Sequence, residues 1–147
     1  MKEKTSKWFE CKVTLDKTTE EGQQKSVTEL YVVEALSYTE AEARIIEEVT
    51  PYTVGELTVK DIRKAQYTSV FFEESDSSDT RFYKAKLDFI TIDERTQKEK
   101  RSRVTYLVQA TTIRSAMKNL DEVMRGTMID YETCALAETK IIDLFEY

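Results

Sequence analysis

The sequence predicts an α+β fold, an internal duplication of a ββαβ unit whose antiparallel sheets carry one helix per repeat. Three observations predict it. The stretch YVVEALSYTEAEA at residues 31–43 returns seventy-five positions later as YLVQATTIRSAMK at 106–118. Ahead of each copy apolar and polar residues alternate, and within each copy the apolar spacing changes from two to three and four. Each helical stretch then meets a breaker, Pro51 in the first half and Gly126 in the second.

The elements follow in order. KWFECKVTL at 7–15 aligns with RFYKAKLDF at 81–89. Phe9, Cys11, Val13 and Leu15 share one strand face, and Tyr83, Ala85, Leu87 and Phe89 share the matching one. The polar stretches DKTTEEGQQK at 16–25 and DERTQKEKRSR at 93–103 are too long for two-residue turns, so long mobile hairpin connections are expected there. In the second strand Tyr31, Val33 and Ala35 have identical counterparts in Tyr106, Val108 and Ala110.

For the first helix Ser37 and Thr39 offer caps, Thr39 and Glu42 suggest a capping box, and Tyr38, Ala41, Ile45 and Val49 form the apolar stripe. The second helix keeps the stripe as Ile113, Ala116, Leu120 and Met124, but Arg114 and Met117 stand where the box would be. An extended segment closes each half, LTVKDIRKAQYTSVFF at 57–72 and YETCALAETKIIDLFE at 131–146. Its alternation breaks near 65–67, as at a bulge or a bend. The organisation read from this is a single compact domain over 1–147, with repeat one at 7–73, an acidic, Ser-rich joint at 74–80 and repeat two at 81–147.

Composition narrows the function. With no histidine, the imidazole-based acid–base, nucleophile and metal systems are excluded. Three glycines and no Walker or dinucleotide fingerprint leave no phosphate cradle. Acidic clusters at Asp16, Glu20 and Glu21 and at Glu40, Glu42, Glu47 and Glu48 read as solvated faces. Cys11 and Cys134 lack metal-site or disulfide-framework spacing. No enzyme activity and no cofactor are expected. No run of 18 apolar residues occurs, so no membrane span is expected and the cytoplasm is the simplest location.

Two surfaces stand out. Residues 1–76 carry a net charge of −6 and residues 77–147 carry none, a contrast concentrated in the hairpins. Arg95, Lys98, Lys100, Arg101 and Arg103 oppose only Glu99 within 95–103, a pattern able to track the phosphates of a nucleic acid. The second strands also place Leu30, Val32 and Leu107 on the face away from the helices, where a one-sided sheet should be polar. Either the other sheet covers that face or it meets a partner, as in a homodimer.

WFECKV near Trp8, the run VTELYVVEALSYTEAEARIIEE at 27–48, and FITIDE, LVQA and LDEVMRGTMIDY in the second half together resemble an uncharacterised family of small proteins. That family belongs to Bacteroides-type gut bacteria, their mobile elements and phages. The resemblance covers essentially the whole chain and implies a phage or mobile-element accessory protein, with no catalytic residue or cofactor to carry over. The reading is a non-enzymatic protein-interaction module that self-associates or meets another protein. The alternative is an accessory protein that contacts nucleic acid through the basic hairpin.

Overall fold

The computed structural model describes residues 1–73 and 80–147. The joint read at 74–80 lies, apart from Thr80, outside the described residues. The chain forms two compact units, one of 1–5 and 67–139 and the other of 6–66 and 140–147. Each contains a sheet with a helix on one face.

The second unit contains β2 (Trp8–Thr18), β3 (Gln24–Glu34), α1 (Tyr38–Val49), β4 (Leu57–Lys64) and β9 (Ile141–Phe145), in the strand order β4-β2-β3-β9. The alternation that predicts β2 places Phe9, Cys11, Val13 and Leu15 against Ala41, Ile45 and Val49 of α1, all buried. Tyr38 starts the helix stripe but stays exposed, with its ring edge-on to Phe9 at 5.0 Å.

The other unit repeats the order. Its sheet runs β1-β5-β7-β6-β8, built from β1 (Lys2–Lys4), β5 (Ser69–Phe72), β6 (Arg81–Ile92), β7 (Glu99–Ala110) and β8 (Tyr131–Glu138). Ala116, Leu120 and Met124 of α2 (Ile113–Arg125) are buried, and the core joins Leu120 and Met124 to Phe71, Ala85, Leu87 and Val108. The edge strands β4 and β8 carry an irregularity at the same place, opposite Lys12/Val13 in β2 and Lys86/Leu87 in β6.

Three expectations change. About half of each polar stretch is strand: β2 and β3 are joined by residues 19–23 only, and β6 and β7 by 93–98. Both hairpins extend as exposed two-stranded ribbons whose turns use positive φ at Gly22 and Gln97. The caps also differ. Ser37 caps α1 by accepting from the Glu40 N–H at 3.1 Å, while Glu40 accepts from the Leu36 N–H at 2.9 Å. It is α2 that has a reciprocal box, with Thr112 Oγ1 accepting from the Ser115 N–H and Ser115 Oγ from the Thr112 N–H.

Third, the closing segments do not stay with their own halves. The break near 65–67 is a departure point: β4 ends at Lys64, and β5 pairs in parallel with β7 of the second half. Correspondingly, β9 leaves β8 and pairs in parallel with β3 of the first half. The compact units therefore do not coincide with the sequence repeats, and each sheet mixes antiparallel pairs with one parallel pair. Residues 2–4, for which the sequence predicts no element, form the edge strand β1 from a charged segment with no apolar signal.

Candidate functional site

Of the three residues read as a partner face, Val32 and Leu107 are wholly buried and Leu30 is half-buried. Only Leu30 can meet a partner, because the outer face of β3 opens from that residue toward the hairpin. There the four-stranded sheet carries a groove of about 570 Å³ lined by Lys12, Thr28, Glu29, Leu30, Lys140 and Ile142. A smaller hollow of about 170 Å³, lined by Glu10, Lys12, Leu30, Asp61 and Arg63, shares Lys12 and Leu30 with it.

The register explains the groove. Lys12 stands opposite Leu30 on one side and Asp61 on the other, and Leu30 pairs with Ile141. Leu30 and Ile142, the latter 51 % exposed, supply apolar surface, while Lys12 and Lys140 supply charge. Glu29 is engaged by Lys17 Nζ at 2.5 Å and by the Tyr31 hydroxyl, and Asp61 by Arg63 Nε at 2.8 Å. Burial, followed by the hydrogen bond to Glu29, pushes the Tyr31 phenol above its ordinary range. Beside the groove β9 lies at the edge of its sheet.

A third hollow, of about 210 Å³, is lined by Ser6, Glu34, Ala35, Leu36, Glu40, Arg44 and Tyr147. The Arg44 guanidinium lies 4.2 Å from the Tyr147 ring centroid. Tyr147 donates its hydroxyl to Glu48 Oε1 at 2.6 Å and its backbone N–H to Glu34 Oε1 at 2.7 Å. Burial and then the Glu48 carboxylate push this phenol up to about 12.

The basic hairpin is less basic than its sequence. Arg103 Nε donates to Asp88 Oδ1 at 2.5 Å, while Arg101 donates through Nη1 to Glu132 Oε2 at 2.5 Å and through Nε to Glu99 Oε2 at 3.2 Å. The hydrogen bond from Arg103 holds the Asp88 carboxyl below its usual range. By strand alternation Lys100 faces the opposite side from Arg101 and Arg103, and Arg95 and Lys98 sit in the turn. Arg95, Lys98 and Lys100 have no ion pair among the described residues. With Asp88, Asp93, Glu94 and Glu132 counted, the hairpin region is neutral.

Cys11 is buried and Cys134 exposed. Among the described residues no cluster of three or more Cys, Asp or Glu is placed to hold a metal ion, and no helix is long and apolar enough to cross a membrane. Sequence reasoning missed Lys12, Lys140 and Ile142, and with them Glu34, Arg44 and Tyr147. The available signal was the adjacent pair Ile141 and Ile142, whose neighbouring positions in a strand put one apolar side chain on each face.

No curated protein and no solved structure matches the chain. A family model matches residues 7–147, and the chain belongs to the family described as a domain of unknown function (DUF4494).

Proposed function

We propose that this chain is a non-enzymatic protein-interaction module that self-associates, acting inside the cell as an accessory protein of a phage or mobile element. The observation that carries the interaction reading is the groove across β2, β3 and β9. Its volume suits a few side chains, its Leu30 and Ile142 offer apolar contact, and its lysines can orient a partner. The adjoining edge strand adds a row of backbone groups of the kind that a partner segment pairs with. The phage or mobile-element setting is supported by the sequence resemblance alone.

Light scattering on a sizing column over a range of protein concentration tests this. Wild type should show dimer growing with concentration, and Leu30→Glu and Ile142→Glu should each remain monomeric with an unchanged circular dichroism spectrum. A wild type that stays monomeric throughout would refute self-association. Variants that still dimerise would refute the groove as its contact.

A second reading, phosphate contact by the hairpin, is favoured by the unpaired cations Arg95, Lys98 and Lys100. Fluorescence anisotropy with labelled DNA and RNA decides it. Binding that weakens between about 50 and 200 mM salt, and is lost on changing these three to Glu, would support it. Absence of binding at the lower salt would dismiss it.

A further inference from the structure

The strand that closes the four-stranded sheet comes from the other half of the chain, and its aromatic anchors fall on first-half residues. Phe145 stacks on Tyr31 at 5.7 Å between ring centroids, and Tyr147 is held by Arg44, Glu48 and Glu34 as described. Arg44 is itself fixed, donating to the Glu34 carbonyl at 2.7 Å and pairing with Glu40 at 3.0 Å. Ser6 Oγ donates to the other Glu34 carboxylate oxygen at 2.5 Å. The acceptor is thus built from first-half residues.

The five-stranded sheet contains the same device. β5 lies parallel on β7, the Glu73 N–H donates to Gln109 Oε1 at 2.9 Å, and Asn119 Nδ2 donates to the Gln109 carbonyl at 3.2 Å. Gln109 and Asn119 stand seventy-five positions after Glu34 and Arg44, and Glu73 stands seventy-four before Tyr147. In both units, then, a side chain at the end of the central hairpin catches the backbone just past a strand supplied by the opposite half.

An acceptor filled by a segment foreign to its own half has no chemical means of telling which chain supplied it. We infer that the acceptor made by β3 and α1 takes residues 140–147 of a second copy of this chain, giving a strand-exchanged dimer in which each copy closes the other's four-stranded sheet. The inference rests on the self-association reading and gives it a second contact, which shares Lys140 and Ile142 with the groove. The segment on the same chain has an effective concentration of millimolar order, so it holds the site in dilute solution, and exchange follows when chains refold together at high concentration.

The test uses the full-length chain and a fluorescent peptide, KIIDLFEY, equal to residues 140–147. Measured by anisotropy, the peptide should bind the Phe145→Ala, Tyr147→Ala double variant at least about tenfold more tightly than wild type, whose own strand competes. A peptide carrying the same two substitutions should bind neither. No binding to a folded double variant, or equal binding to both proteins, would overturn the inference.

Should the double variant fail to fold, native mass spectrometry of two isotopically distinct wild-type preparations replaces it. Reversible groove contacts also scramble on mixing, so exchange is read from the excess: more heterodimer after co-refolding than after simple mixing at the same concentration supports it. An equal level in the two cases, or none in either, overturns it. Peptide binding by a wild type that never dimerises would uphold the acceptor while removing the self-association reading, so the two failures are distinguishable.

Discussion

Because the closing strands change sheets, damage to the last strand of the sequence should be felt by the first helix. Phe145 is half-buried, packs on the core that contains Ala41, Ile45 and Val49, and stacks on Tyr31. Removing a fully buried Phe costs about 3–5 kcal/mol, so half-burial puts Phe145→Ala near 2 kcal/mol. That is about a thirtyfold loss in protection of the amides that open with its core. Native-state hydrogen exchange should show this loss across Tyr38–Val49 of α1 and little change across Ile113–Arg125 of α2, although α2 is much nearer in sequence. The mirror experiment is Phe71→Ala. Phe71 is buried with Leu120 and Met124, so the full ~3–5 kcal/mol and more than about a hundredfold should fall on α2 and spare α1. Loss of protection confined to α2 in Phe145→Ala, or to α1 in Phe71→Ala, would refute the exchanged assignment of the strands.

The cap assignment predicts that Thr112→Ala lowers stability by about 1 kcal/mol, a Tm drop of about 3 °C by calorimetry, because it removes the acceptor for the Ser115 N–H. Thr39→Ala should stay within about 0.5 kcal/mol of wild type, since Thr39 caps nothing. A thiol reagent should titrate Cys134 in the native protein and Cys11 only after unfolding. Burial pushes the Cys11 thiol up to about 12, so from about pH 9 the unfolded chain ionises this thiol while the folded chain keeps it protonated. Stability should therefore fall by about 1.4 kcal/mol per pH unit from this group as pH rises through that window, and urea midpoints of wild type and Cys11→Ala should converge. Parallel midpoint curves would contradict it.

The sequence makes legible whatever rests on a repeating apolar signal. The faces of β2 and β6 and the buried helix stripes carry one, and the stops at Pro51 and Gly126 are marked by breaker residues. The hairpin ribbons carry no such signal, since their residues face solvent on both sides and the alternation has nothing apolar to mark it. Thr39 competes with Ser37 as a cap because both precede a Glu by three positions, and the choice depends on where the backbone turns helical. In α2, Ser115 completes the box in place of the usual Glu or Gln, which hides it from a pattern search. In the groove Lys12 and Leu30 meet across the β2–β3 hairpin, and Ile142 joins them only through the parallel pairing of β9 with β3. That pairing is a property of chain connection, to which composition is blind.

Connection length nevertheless dictates it. In the four-stranded sheet β3 and β4 both run antiparallel to β2, and the vacant place beside β3 takes a strand parallel to both. To fill that place from its own half, the chain leaving β4 would have to cross three strand spacings, about 14 Å, and return three residues of register, about 10 Å, while passing over a face of the sheet. Parallel crossovers of this kind use a dozen residues or more. From Lys64 to Ser69 only four residues intervene, reaching at most about 18 Å, and from Glu138 to Ile141 only two, reaching about 11 Å. Neither half can close its own sheet. Each can only send its last strand elsewhere, so a single half would leave the edge of its central hairpin unpaired and its core uncovered by Phe71 or Phe145. Two halves in one chain supply each other, and mutual closure is a physical reason for saying nearly the same thing twice.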